Sequence, residues 1–245
     1  MVPDKRFRVE VADLTCSPQQ SVWKAMHQDY SENYVANEPV PNEEECGKIA
    51  VKKLLAGERG HYGPLEHAQI VFQVGYFPHS VMQQARTHRV GVSFDVQSMR
   101  YTGQRIANLD FNDTNIEEAL EDIFYLRPVG EYMNRQGKKY HYTQAARYRD
   151  LEFLEYAANL YAKKVQEGMP EEQARGQLPF DFRQHFVVSF SLRALMHFLD
   201  LRAKKDAQLE IRWLCDLMLP KFKIWAPEIA SWYIENRLGK ARLAP

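Results

Sequence analysis

Residues 7–15 (FRVEVADLT) largely alternate apolar and polar side chains, the period of a half-buried strand. The period then changes. Val22, Met26 and Tyr30 recur every four residues between positions 17 and 35, which predicts a helix capped by Ser17 ahead of Pro18. A second helix is predicted over 43–56, stopped by Gly57. Residues 58–67 (ERGHYGPLEH) hold two glycines and a proline and read as a turn. Strand character returns over 68–76 (AQIVFQVGY). Pro78 opens a short helix ending near Arg89, and 90–114 reads as irregular. An acidic helix over 115–125 leads into a polar loop over 126–142. A long amphipathic helix over 143–167 ends at Gly168, and Pro170 opens a short one to Arg175. Residues 180–190 (FDFRQHFVVSF) read as a strand. Helices over 191–203, 206–219 and 227–238 follow.

Strands and helices therefore do not alternate as repeated βαβ units, and no Gly-x-Gly-x-x-Gly is present. The expected fold is α+β: a mixed, mainly antiparallel sheet flanked by helices, not a Rossmann fold. The expected organisation is a single domain over 1–245, with a family-specific insertion around 103–142.

Charge narrows the function. Lys+Arg and Asp+Glu are equal at 32 each, so the chain lacks the basic excess of a dedicated duplex binder. Local positive charge must then mark a site. The three cysteines (Cys16, Cys46, Cys215) are far apart and in no metal-ligand spacing, and they read as free thiols in a reducing compartment. The segment MVPDKRFRVE has no apolar signal core and no apolar run approaches membrane length, so the expectation is a cytoplasmic protein without membrane or nucleic-acid partners.

The densest local charge is ARTHRVGVSFDVQSMRYTGQR, 85–105, with four arginines, a histidine, two glutamines and two serines. Gln83, Arg86 and Arg89, three apart, share one face if the helix runs to Arg89. If 96–101 is extended, Ser98 and Arg100 point together and Gln97 opposite. Arginine offers phosphate a planar fork of donors and glutamine can read an amide edge, so a phosphorylated pyrimidine suits the set. A solvated basic loop suits it equally well on these grounds alone. A second cluster is SFSLRALMHFLDLRAKKDAQ, 189–208. Arg193, His197 and Asp200 fall on one helical stripe, while Arg202 lies nine residues after Arg193, half a turn around. On a regular helix Arg193/His197 and Arg202 therefore cannot serve the same point of one subunit. His61, Glu66 and His67 invite a metal reading, but a turn without ligand spacing argues against it, and no metal is expected. A non-catalytic nucleotide- or RNA-binding module and a metal-dependent nucleotide hydrolase remain the competing readings.

The 85–105 stretch resembles the signature of the flavin-dependent thymidylate synthases: Arg-His-Arg, a spacer, Ser, and Arg two residues on. Here it stands as Thr87-His88-Arg89, a spacer, Ser98 and Arg100-Tyr101. GHYGPLEH before it, PEEQARGQLP after it and SLRALMHFLDLRAKKDAQLEIR near the end agree in order, from about residue 60 to 212. The chain departs at Thr87, where the family has arginine, and its spacer from Arg89 to Ser98 is one residue longer. Gly63, Val96 and His197 also depart from common choices, and Arg86 is a candidate substitute for the arginine that Thr87 displaces.

The resemblance implies dTMP synthesis from dUMP, with methylenetetrahydrofolate as one-carbon donor, NADPH as reductant and bound FAD, in a homotetramer with shared active sites. It implies that Arg202 stabilises a uracil ring lacking its imide proton, with Ser98 and His61 also in the catalytic set. It assigns Thr87, His88, Arg89, Ser191, Arg193 and His197 to FAD. It assigns Gln84 (less readily Gln83), Arg86, Gln97, Ser98, Arg100, Arg175 and Arg202 to dUMP. No cysteine lies in any of these motifs, as a route without a thiol nucleophile requires.

Overall fold

A computed structural model describes residues 3–57, 60–134 and 136–240 of the chain. Four strands form one sheet in the order β1-β2-β6-β3: β1 Arg8–Leu14, β2 Gln69–Pro78, β3 Val92–Val96 and β6 Arg183–Ser191. Bonds at the strand ends fix the directions. Thr15 N–H donates to Gln69 O at the β1–β2 end. His79 N–H donates to Phe182 O at one end of the β2–β6 pair, and Leu192 N–H to Ala68 O at the other. Gln97 N–H donates to His185 O and Ser191 N–H to Gly91 O beside β3. All three pairings are antiparallel, as the sequence predicts. The period-2 pattern is the cause: Ile70, Phe72 and Val74 on β2 and Phe186, Val188 and Phe190 on β6 are buried. Each such side chain contributes about 1.5–3 kcal/mol by leaving water.

Chain contacts divide the fold into two compact units. Unit 1 comprises 1–8, 74–84 and 95–186. It holds most of α3 (His79–Ala85), then α4 (Met99–Thr102), α5 (Gln104–Ala107), α6 (Ile116–Ile123), the hairpin β4 (Gly130–Met133) and β5 (Lys139–Tyr142), α7 (Gln144–Gln166) and α8 (Glu171–Ala174). Its core forms where Leu151, Leu154, Ala158 and Tyr161 of α7 repeat at helical spacing and meet Met99, Ile106, Leu120 and Phe124. Thr143 Oγ1 caps α7 by accepting from Ala146 N–H at 3.1 Å, and Gly168, at φ +93°, follows its end. Arg183 is 1% exposed and donates to the carbonyls of Glu121 and Tyr76 and to Asp4 Oδ2. Tyr76 sits at φ +67°, a conformation that costs a non-glycine residue about 1–3 kcal/mol.

Unit 2 comprises 9–73, 85–94 and 187–245. It holds α1 (Pro18–Gln28), α2 (Glu43–Ala50) continuing into a wide turn over Val51–Leu55, α9 (Leu192–Arg202), α10 (Leu209–Trp225) and α11 (Pro227–Asn236). Val22, Met26, Leu195, Phe198, Leu214, Phe222 and Tyr233 build its core. No helix among the described residues is long and apolar enough to cross a membrane.

Several sequence expectations are corrected. The helix expected to reach Val35 ends at Gln28, and Tyr30 is 61% exposed rather than on its buried stripe. Ser17 makes no side-chain cap bond; the Glu43 carboxylate instead accepts from Gln19 and Gln20 N–H at 2.7 and 2.9 Å, an anion on a helix N-terminus. The helix expected to end near Arg89 stops at Ala85, so Gln83, Arg86 and Arg89 share no helical face. Residues 90–114 are not irregular but carry β3, α4 and α5. The loop over 126–142 contains a hairpin. The expected turn at 58–59 lies outside the described residues.

Candidate active site

The residues singled out by sequence fall into two sets, one in each unit. In unit 2 the chain from Ala85 to Val92 runs against the start of α9. Gly91 permits this approach: its φ is +67°, and a Cβ there would lie 2.6 Å from Ser191 Oγ and 3.0 Å from Ala194 Cβ. Ser191 Oγ in turn caps α9, accepting from Ala194 N–H at 3.2 Å. Arg202, the last residue of α9, donates Nε–H to His88 Nε2 at 3.0 Å and Nη2–H to Thr87 Oγ1 at 2.8 Å. The His88 ring lies 5.4 Å from that of His197 and 5.0 Å from that of Phe198, edge-on.

This contact corrects the helical-wheel argument. Arg202 and His197 do serve one point, because the long arginine side chain at the helix end and the His197 ring both reach His88. Burial foremost, then the Arg202 charge and His197, push the His88 imidazole down to about 4. At neutral pH the ring is uncharged, and because Nε2 accepts from Arg202 the proton is assigned to Nδ1. Burial also lowers the Arg202 guanidinium from its ordinary value, but it stays a cation at neutral pH.

A cavity of about 220 Å³ adjoins this cluster, lined by Glu66, Val90, Ser191, Arg193, Ala194 and His197. Arg193 pairs with Glu66 at 2.6 Å. Both side chains are partly exposed, so the pair is worth about 0–1 kcal/mol and a ligand anion can compete for the guanidinium. His197 Nδ1 is buried and, among the described residues, has no hydrogen-bond partner. Such a nitrogen points to a missing ligand or water. A guanidinium, a hydroxyl and an unpartnered imidazole nitrogen over apolar Val90 and Ala194 fit a flat heteroaromatic ring bearing an anionic group. His61 is exposed, bonds Asp29 Oδ2 at 2.7 Å and does not line this cavity. Arg86 and Arg89 are exposed.

In unit 1, Ser98 is extended but caps α4, and Arg100 lies inside that helix, so Ser98 and Arg100 are not alternate strand positions. Its hydroxyl accepts from Arg100 N–H at 3.4 Å. Arg100 Nε pairs with Glu172 at 2.7 Å, both side chains exposed, again a weak pair open to exchange. α4 packs against α8, which leads directly into the turn Arg175–Gln177 carrying exposed Arg175. Sequence reasoning missed a polar chain here. Gln83 Nε2–H donates to His79 Nε2 and His79 Nδ1–H to Gln184 Oε1, both at 2.6 Å, while Gln184 Nε2–H reaches Gln97 O at 3.4 Å. Only Gln83 and Gln97 were singled out by sequence; His79 lies one turn before Gln83 on α3, and Gln184 is brought to them by β6. Gln84 is half-buried and donates to Ser80 O at 3.4 Å.

Neither buried thiol is an activated nucleophile. Burial, reinforced by Glu43 and Glu45, pushes Cys46 up to about 11, and burial pushes Cys215 up despite the Arg202 charge.

The fold and the two arginine-centred sets define an antiparallel α+β protein equipped for anionic, ring-containing ligands. Comparison with known proteins sharpens that class. The family model described as thymidylate synthase complementing protein matches residues 10–228. A flavin-dependent thymidylate synthase of Haloarcula marismortui is 34% identical over 97% of this chain and 99% of its own. That of Halobacterium salinarum is 30% identical over 98% and 100%. Among solved structures, thymidylate synthase X of Helicobacter pylori with FAD and dUMP superposes with a TM-score of 0.69 at 15% identity, covering 91% of this chain and 99% of that one. A UMP/dUMP methylase of Streptomyces cacaoi bound with 5-Br dUMP gives 0.72 at 21% identity, covering 98% and 97%. The chain belongs to the flavin-dependent thymidylate synthases and is an enzyme.

Proposed function

We propose that this chain methylates dUMP to dTMP, with methylenetetrahydrofolate as one-carbon donor, NADPH as reductant and FAD as bound cofactor. The observation that carries the reading is the Arg202–His88–Thr87 cluster joined through His197 to a ring-sized cavity. When bound, FAD supplies the hydride transfer that no amino-acid side chain can perform. Thr87, His88, Arg89, Ser191, Arg193 and His197 would hold it, the Arg193 guanidinium suiting an anionic group and His197 Nδ1 a polar one. By the family resemblance His61 is assigned to the flavin and folate entrance, and its exposed ring is open to a ligand there.

Arg100 and Arg175 bind the dUMP phosphate, each charged hydrogen bond contributing about 1.5–3 kcal/mol. Ser98, Gln97, Gln84 and Arg86 orient the nucleotide. Arginine is no base at neutral pH. Arg202 instead stabilises the negative charge left when the uracil imide proton departs, which enriches the ring carbon to be methylated.

The active assembly is a homotetramer with sites shared between copies. A cavity of about 220 Å³ is below the size that holds a whole ligand of this kind. The flavin set lies in unit 2 together with Arg86 and Arg202, while Ser98, Arg100 and Arg175 lie in unit 1, and one active site draws these residues from more than one copy. The test is spectroscopic. Purified protein, or protein reconstituted with FAD, should show flavin absorbance, and its oxidation of NADPH should respond to dUMP. Protein that cannot take up FAD overturns the reading.

A further inference from the structure

We propose that Thr87 and His88 are positioning residues for Arg202, two consecutive acceptors that clamp one edge of its guanidinium. The role of Arg202 in catalysis rests on the function proposed above; the clamp itself rests on geometry. A guanidinium has five N–H donors and no acceptor, so its orientation is set by the acceptors around it. Nε–H and Nη2–H lie side by side on one edge, and they meet His88 Nε2 at 3.0 Å and Thr87 Oγ1 at 2.8 Å. Two nearly parallel bonds to adjacent residues fix both the position and the plane of the group.

The clamp needs an uncharged His88, since an imidazolium has no lone pair to offer and would repel Arg202. Enclosure by Phe198, His197 and Arg202 keeps it uncharged. It also needs an acceptor at 87. Threonine supplies one; an arginine there could only donate and would repel Arg202. Thr87 is therefore no mere gap in a basic motif.

The test uses the apoprotein first. In imidazole NMR the wild-type His88 should stay neutral from pH 8 to 5, in keeping with titration near 4. Thr87 is exposed, so T87V should fold. T87V should let the guanidinium move away and shift the His88 titration up toward its ordinary value of about 6.5. T87S should restore it, and R202Q should shift it as T87V does. In the FAD-loaded enzyme T87V should lower kcat by about tenfold, with little change in KM for dUMP, and T87S should recover it. An unchanged His88 titration in T87V, or a shift that T87S fails to reverse, overturns the clamp. An enzyme that makes no dTMP at all would count against the proposed function, while the His88 titration still decides the clamp.

Discussion

Burial gives His88 a pH dependence. Its imidazole titrates near 4 in the folded chain and near 6.5 when unfolded. Between those values the unfolded chain binds the extra proton, so the His88 contribution is complete above about pH 6.5 and is lost as pH falls toward 4. The fall in Tm from pH 7 to pH 5 should be smaller in H88Q than in wild type; an equal fall contradicts this. Arg202→Ala should leave fold and flavin binding intact and reduce dTMP formation by about 10²–10³, as loss of a charge-stabilising donor does. Unimpaired turnover would mean Arg202 does not meet the reacting ring. Arg202, His88 and His197 stood out in the sequence because each lies in a motif. Their mutual contact did not, since a helical wheel places Cβ atoms and ignores how far an arginine reaches from a helix end.

At the scale of elements, the closeness of the 86–91 segment to α9 depends on Gly91. Gly91→Ala adds the cost of a left-handed alanine, about 1–2 kcal/mol, and forces Ser191 off its capping bond, about 1 kcal/mol more. Chemical denaturation should show the loss together with weaker FAD binding; a variant as stable as wild type would contradict the contact. Long periodic elements such as α7 and β6 were readable because burial imposes their repeat. β3 was not readable, because its burial alternates only between partial and exposed, and its pairing with β6 makes it a strand. α4 and α5, four residues each, are too short to show a period. The hairpin in 126–142 was hidden by polar composition. Tyr132 and Tyr140 pair across it, with ring centres 5.6 Å apart.

For the molecule as a whole, Asp4 ties the chain near its start to the buried Arg183 guanidinium, whose other partners are main-chain carbonyls. Asp4→Ala removes the only carboxylate recorded on that charge among the described residues, and a loss of about 3 kcal/mol in a urea melt is expected. A change below about 0.5 kcal/mol would contradict it. The proposed shared-site assembly makes its own prediction. Arg100→Ala and Arg202→Ala proteins, each impaired alone, should regain turnover when mixed and allowed to exchange subunits; no recovery in proven mixed tetramers would place both arginines in one copy. The family and the α+β class were legible from four ordered motifs and from strand order. The shared-site homotetramer is implied by the resemblance alone, and no period or spacing in the chain points to it. The central claim is tested most directly by chromatographic measurement of dTMP from dUMP, with FAD, NADPH and methylenetetrahydrofolate supplied. The account predicts dTMP in step with NADPH consumed, and its near-disappearance in Arg202→Ala. An FAD-loaded protein that consumes NADPH without forming dTMP would contradict it.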